Sequence, residues 1–312
     1  MHHPLTALVR REIQKPVPAA VETIARAARE RHGTAVTAVL FYGSCLRCPE
    51  TITDGIVDLY LLVRDCRTAG LNPLSAGACR LLPPNVYYLE TEHDGIVVRT
   101  KYALMQRDDF FRGARRWFHA YIWARFAQPC RLIWVRDDAE LDTVSAALAD
   151  AVQHFIGQVR PLMAAPFSAR DLWLEGFRLS YATELRSETS DRSAILYAAA
   201  NDYYEQATRA VLGAPRPTAD GGPPRFTAPP ATRITTARRR GAWVLRRWQG
   251  RVLAVLRLLK ASSTFTDGPA YLVWKIRRHN PDIIDSDDPR LRRPTAALAL
   301  VIWRLARRRF RR

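Results

Sequence analysis

The sequence lacks a long apolar run. No segment reaches about eighteen uninterrupted apolar residues, the minimum for a membrane-crossing helix, so no transmembrane helix is expected. The opening Met1-His2-His3-Pro4 has no apolar secretory stretch, so no signal peptide is expected either. Cysteine is sparse. Cys45, Cys48, Cys66, Cys79 and Cys130 are five, an odd number, all in the first half of the chain. That is too few for a disulfide scaffold, and the set reads as reduced cytoplasmic thiols. Cys45-x-x-Cys48 is half a zinc knuckle with no second pair and no suitably spaced His. Acidic residues are outnumbered: 30 Asp and Glu face 48 Lys and Arg, a net charge of +18. Such an excess calls for an anionic partner. No recognisable nucleic-acid module accompanies it, so an acidic membrane surface is expected and nucleic acid is not. No internal repeat is present.

What is there is ample apolar content. The chain has 312 residues, 48% of them hydrophobic, enough for one large or two ordinary domains. The most informative stretch runs from Val39 to Val63. Val39-Leu40-Phe41-Tyr42 reads as a strand that turns at Gly43-Ser44, and Ile56 to Val63 reads as a second strand carrying one acid, Asp58. Gly43 suits a tight turn and a close approach of backbone to a ligand. A short helix after Ser44 would turn backbone N–H groups toward a phosphate. With a period of two, Asp58, Tyr60 and Leu62 share one face of the second strand, and Val57, Leu59 and Leu61 share the other. A run apolar on both faces marks a central strand of a covered sheet. Asp58 in such a run needs a cation or hydrogen-bond partner.

The remaining pattern gives an α/β unit followed by a helical region. A helix is predicted over 17–32, strands over 86–90 and 95–102 joined at His93-Asp94-Gly95, a helix over 108–125 and a strand over 130–135. The segment 73–84 reads as loop or short helix. Beyond Asp137, helices are predicted over 141–162, 172–185 (N-capped at Ser168), 190–212, 243–259 and 270–278. A Pro- and Gly-rich loop falls at 213–237 and a polar loop at 261–269. The organisation expected is an α/β unit, a mixed sheet with helices, over 1–140, a mostly helical domain over 141–295, and a basic amphipathic tail helix over 296–312. In the tail, Trp303 sits at the junction between apolar residues and Arg304, Arg307 and Arg308. An interfacial aromatic beside basic residues is the pattern of a helix lying on an anionic leaflet.

The strand–Gly-Ser–strand–Asp arrangement looks like the nucleotidyltransferase superfold of DNA polymerase beta, in which paired acids two residues apart hold divalent metal. Here Asp58 fits the first acid and Tyr60 stands at the second. The whole chain resembles the mitochondrial phosphatidate cytidylyltransferase family, the translocator assembly and maintenance proteins, as a distant, bacterial-type relative. That family has Tyr-Gly-Ser and a single acid, matched by Tyr42-Gly43-Ser44 and Asp58. In order there follow Val86-Tyr87-Tyr88, Lys101-Tyr102, Trp117 and Tyr121 leading to Arg125 and Pro129, Glu175, Leu179-Ser180-Tyr181, Glu184, Arg186, and Lys260-Ala261-Ser262-Ser263. Asp267-Gly268 departs from the family's Lys-Gly, and the segment 215–231 has no counterpart.

The resemblance implies transfer of CMP from CTP to phosphatidate, giving CDP-diacylglycerol and pyrophosphate with Mg²⁺ or another divalent cation. It implies Asp58 as metal ligand and catalytic acid, with Lys101 and Arg125 neutralising phosphate charge. It places the nucleotide on Tyr42, Gly43, Ser44, Glu175, Tyr181 and Arg186, and lipid phosphate or membrane on Lys260, Ser262, Ser263, Trp303, Arg304, Arg307 and Arg308. The implied location is peripheral, on the cytoplasmic face of the inner membrane. Plainer roles stand beside these. Ser44 suits a turn, Asp58 a structural hydrogen bond, Lys101 an exposed strand, Arg125 a helix C-terminus, Tyr181 the core, and Arg186 an ion pair. Glu175 and Glu184 lie nine residues apart on one predicted helix, so at most one faces the site. Transfer to a small-molecule, protein or RNA acceptor, or an inactive membrane-binding relative, are the alternative functions.

Overall fold

A computed structural model describes residues 4–184, 190–217, 224–227 and 232–264. The chain divides into two compact units, Met1–Val252 and Leu253–Arg312. In the first, a mixed α/β arrangement is built on a five-stranded sheet of order β3-β4-β2-β1-β5. The strands are β1 (Val36–Tyr42), β2 (Val57–Val63), β3 (Asn85–His93), β4 (Ile96–Gln106) and β5 (Arg131–Val135). β1 pairs antiparallel with β2 and β5, β3 antiparallel with β4, and β2 parallel with β4. The β3–β4 hairpin turns at Asp94 (φ 51°) and Gly95 (φ 76°), both left-handed, as a tight two-residue hairpin turn requires.

The predicted alternation along β2 holds. Leu40, Tyr60, Leu62, Ala103 and Met105 belong to one buried cluster, and Val39, Phe41, Leu59, Leu61 and Leu104 to the other. The second cluster is closed by α2 (Ala19–Glu30), through Val21, Ile24, Ala25 and Ala28, and by α4 (Pro73–Leu81). The first is closed by α1 (Pro4–Ile13), α5 (Arg107–Arg115), α6 (Trp123–Phe126), α7 (Asp138–Val159), α8 (Ala169–Tyr181) and α10 (Asn201–Leu212). α9 (Ser190–Ala198) precedes α10, and a one-turn α3 (Ser44–Arg47) follows β1. α8 begins at the predicted N-cap: Ser168 and Asp171 form a reciprocal capping box.

The structure corrects several expectations. The helix over 108–125 breaks after Arg115, because the chain folds back over Gly113. A Cβ there would stand 2.8 Å from Ile122 Cγ1, and the Trp123 indole donates to the Trp117 carbonyl at 3.0 Å across the bend. The helix over 190–212 breaks at Ala199-Ala200, which lets Tyr197 and Tyr204 stack at 5.5 Å. The last described helix, α11 (Arg233–Thr264), starts inside the predicted 213–237 loop and runs through the start of the predicted polar loop. Thr232 Oγ1 accepts from the Thr235 N–H at its first turn. Cys66 and Cys79 form a disulfide (S–S 2.16 Å), contrary to the expectation of five reduced thiols. The turn after β2 and α4 bring their Cα atoms to 6.4 Å, within bridging range. The predicted elements beyond 264 lie outside the described residues.

Candidate active site

The site forms where the helix-covered face of the sheet runs out of helices. Cross-strand register sets it. Tyr42 opposes Asp58 across β1–β2, and Asp58 opposes Lys101 across β2–β4. All three side chains therefore share one face. Lys101 Nζ lies 2.8 Å from Asp58 Oδ1, with the two side chains 26% and 19% exposed. This is the cation that an acid in an apolar strand requires. The ion pair leaves the buried Oδ1 without a hydrogen bond of good alignment.

Gly43 completes this corner. Its φ is 95°, and a Cβ on it would stand 2.5 Å from Asp58 Oδ2. Glycine is needed for both the left-handed backbone and the close approach to the acid. Ser44 follows, exposed, at the start of α3. α3 spans four residues, so its N–H groups rather than a long-helix dipole are what an anion would meet.

Two residues on from Asp58, Tyr60 is fully buried. Its ring meets Phe126 edge-on at 5.0 Å and lies 5.6 Å from Tyr42 and 6.2 Å from Phe110. Its hydroxyl is enclosed beside Tyr121, and burial first, then Tyr121, push its pKa well above the usual tyrosine value. The position where paired-acid enzymes carry a second carboxylate is here part of an aromatic core. Glu90 accepts from Arg99 at 3.2 Å and from Tyr88. Among the described residues, no group of three His, Cys, Asp or Glu side chains gathers to hold a metal. Cys45 is buried and Cys48 exposed.

Arg125, on α6, closes the other side. Its guanidinium lies 4.3 Å from the centre of the Tyr121 ring, 5.7 Å from that of Tyr42, and 2.9 Å from Glu184. Burial opposes its charge, but Tyr121, Glu184, Tyr42 and Tyr60 together push its pKa above the usual arginine value. Tyr42 links the two halves. Burial and then Asp58 push its hydroxyl pKa up, while Arg125 and Lys101 pull the other way. Tyr42, Asp58, Lys101 and Arg125 thus form one electrostatic group.

The other predicted residues fall elsewhere. Glu175 is held by Arg178 of its own helix through two 2.6 Å bonds, and Glu184 is the acid that meets Arg125. Tyr181 packs on Phe177, with ring centres 6.3 Å apart. Lys260 lies in α11, its pKa lowered to about 8 by burial and then by Arg257. Ser262 and Ser263 belong to the last turn of α11, not to a loop. Arg186, Trp303, Arg304, Arg307 and Arg308 lie outside the described residues. Two residues were missed. Arg99 stands on the same face of β4 as Lys101, a signal readable in the i, i+2 spacing of two cations. Tyr121, the aromatic floor under Arg125, appeared only as a point of family resemblance.

No family model matches this chain. No curated protein matches it either. Among solved structures it resembles a nucleotidyltransferase-like protein from Exiguobacterium sibiricum 255-15, at 10% identity and a TM-score of 0.25, over 92% of this chain and 91% of the other. A likeness at that level is below a shared fold, and the site stands on the sheet register and side chains alone.

Proposed function

We propose that this protein is a nucleotidyltransferase that moves CMP from CTP to phosphatidate, forming CDP-diacylglycerol and releasing pyrophosphate. The observation that carries this reading is the register pair Asp58–Lys101 beside the Gly43 turn, with Tyr60 buried where a second acid would stand. In this reading the corner takes one divalent cation. It offers one carboxylate, Asp58, whose Oδ1 meets Lys101 and whose Oδ2 faces the cradle at Gly43 that a Cβ would fill. Asp58 would hold Mg²⁺ together with triphosphate oxygens and water, as is usual for this ion. When bound, the ion supplies Lewis acidity at the α-phosphorus and neutralises the leaving pyrophosphate.

The chain's own residues do the rest in this reading. Ser44 and the adjacent N–H groups receive the β- and γ-phosphates over the open Gly43 backbone. Lys101 and Arg125 stabilise negative charge as an oxygen of the phosphatidate phosphate attacks the α-phosphorus and the bond to the β-phosphate oxygen breaks. That nucleophile is already anionic at neutral pH, so no general base has to deprotonate it. A site with one carboxylate suits such an acceptor better than a hydroxyl. The net charge of +18 suits an acidic membrane surface.

The test is to incubate the protein with labelled CTP, Mg²⁺ and phosphatidate and to score CDP-diacylglycerol. Product that disappears with Asp58→Ala supports the proposal. Pyrophosphate release only with a soluble acceptor would replace the lipid by that acceptor. An Asp58→Ala protein as active as the wild type would remove the mechanism.

A further inference from the structure

Among the described residues, one face of α11 is packed and the opposite face is not. The inner face is pinned to the first unit. Trp243 lies edge-on to Trp123 with ring centres 5.9 Å apart. Arg246 is buried, donating to the Phe118 carbonyl at 2.8 Å and to Gln158 Oε1 at 2.7 Å. At Gly250 the helix passes so near Thr183 that a Cβ would stand 2.5 Å from its carbonyl oxygen. The helix therefore cannot roll about its axis without breaking these contacts.

The opposite face is apolar and open. Ile234 is 68% exposed, Leu245 60%, Trp248 70% and Val252 45%. At about 100° per residue these four fall within about 60° of arc, facing away from Trp243, Arg246 and Gly250. Scattered exposed apolar residues need no explanation, but an aligned stripe does. Its surroundings say what covers it. The 32 residues of α11 carry eight Arg, one Lys and no acid; Arg238 is exposed at the edge of the stripe and Arg240 is exposed on the flank of the helix. A partner must accept both an apolar ridge headed by a tryptophan and a field of arginines. Nucleic acid satisfies the second demand and leaves the first unmet. An anionic bilayer satisfies both: acyl chains take the ridge and headgroup phosphates take the arginines.

We propose that the outer face of α11, Ile234–Leu245–Trp248–Val252 with Arg238 and Arg240 at its sides, is a docking surface for an anionic lipid bilayer. This inference rests on α11 and not on the cytidylyl-transfer reading. The helix lies in the interface plane on this surface, its inner face fixed to the protein.

The test is co-sedimentation of the full-length protein with vesicles of phosphatidylcholine, with and without phosphatidylglycerol. Phosphatidylglycerol carries the charge without being the proposed acceptor, so this result and the cytidylyltransferase assay can fail independently. The wild type is expected to sediment with the phosphatidylglycerol vesicles. Leu245→Ser with Trp248→Ser is expected to reduce partitioning by at least about tenfold, with an unchanged thermal midpoint because both side chains are exposed. Arg238→Gln with Arg240→Gln is expected to reduce the preference for phosphatidylglycerol by about tenfold. Either variant sedimenting like the wild type would overturn the proposal. So would a wild type that ignores both vesicles, or a serine pair that loses RNA retention while keeping vesicle binding.

Discussion

Asp58 and Tyr60 leave the same face of β2, two residues apart, and enter different environments. Asp58 meets a lysine, a glycine turn and partial solvent. Tyr60 meets Tyr42, Phe110 and Phe126 in a closed cluster. One strand face thus changes from site to core within about 7 Å of backbone. The proposed chemistry sits at the Asp58 end of this face, and Tyr42, touching both regions, marks the border. In a paired-acid site both positions would lie on the chemical side. Here the border has moved by one alternation, and a single carboxylate remains.

The largest effect that would break this comparison comes from moving the border back. Tyr60→Asp places an unpaired carboxylate in an aromatic core and should cost on the order of 4 kcal/mol in urea unfolding. A stable Tyr60→Asp protein with raised activity would mean that Tyr60 belongs to the site. Next is Gly43→Ala, which must hold a Cβ at φ 95° and 2.5 Å from Asp58 Oδ2. It should lose about 1–3 kcal/mol of stability and at least about tenfold in nucleotidyl transfer by displacing the acid; unchanged kinetics would detach Gly43 from the site. Smaller still is the effect of Arg125→Lys. A lysine keeps the charge beside Glu184 but loses the planar stacking on Tyr121. The expected loss is about 1 kcal/mol in unfolding, with a larger fall in turnover than in stability.

The smallest effect concerns the opposite face of the sheet, where no chemistry is assigned. His32 is buried, bonded to the Ala69 carbonyl at 2.7 Å and to the Tyr102 hydroxyl at 3.1 Å. Burial first, and Arg31 after it, lower its pKa below 6.5. A depressed histidine is neutral in the fold and binds protons more readily once unfolded. Its contribution to stability is therefore complete above pH about 6.5 and is lost as pH falls from there through its folded value. His32→Gln should flatten stability against pH in that window while leaving nucleotidyl transfer at neutral pH unchanged. A shifted activity profile would tie this face to the site.

The parts of the molecule legible in the sequence are those set by short-range pattern. The alternation along β2 predicted both its faces, Asp94-Gly95 predicted the hairpin, and Ser168 predicted the start of α8. Asp58 and Gly43 were legible because an acid in an apolar strand and a glycine at its entrance both ask for an explanation. The rest depends on contacts far along the chain. Nothing local in 108–125 says that Gly113 will receive Ile122, and nothing in 190–212 says that Tyr197 will stack on Tyr204. The Cys66–Cys79 pairing needed the spacing between a turn and α4, which cysteine counting does not supply. The helix expected to reach residue 185 ends at Tyr181, so helical spacing did not place Glu184, and choosing it as the partner of Arg125 required knowing where α6 lies.

The central claim is that the chemical site ends at Asp58. The most direct measurement is CDP-diacylglycerol formation from CTP and phosphatidate by Asp58→Asn and Tyr60→Phe side by side, each checked for a native thermal transition. Asp58→Asn should fall by about a hundred- to a thousandfold. Tyr60→Phe should stay within about threefold of wild type, since it removes only a hydroxyl buried in the aromatic cluster and leaves Asp58 and Lys101 in place. Equal losses in the two variants, or an Asp58→Asn protein that turns over at the wild-type rate, would contradict the account.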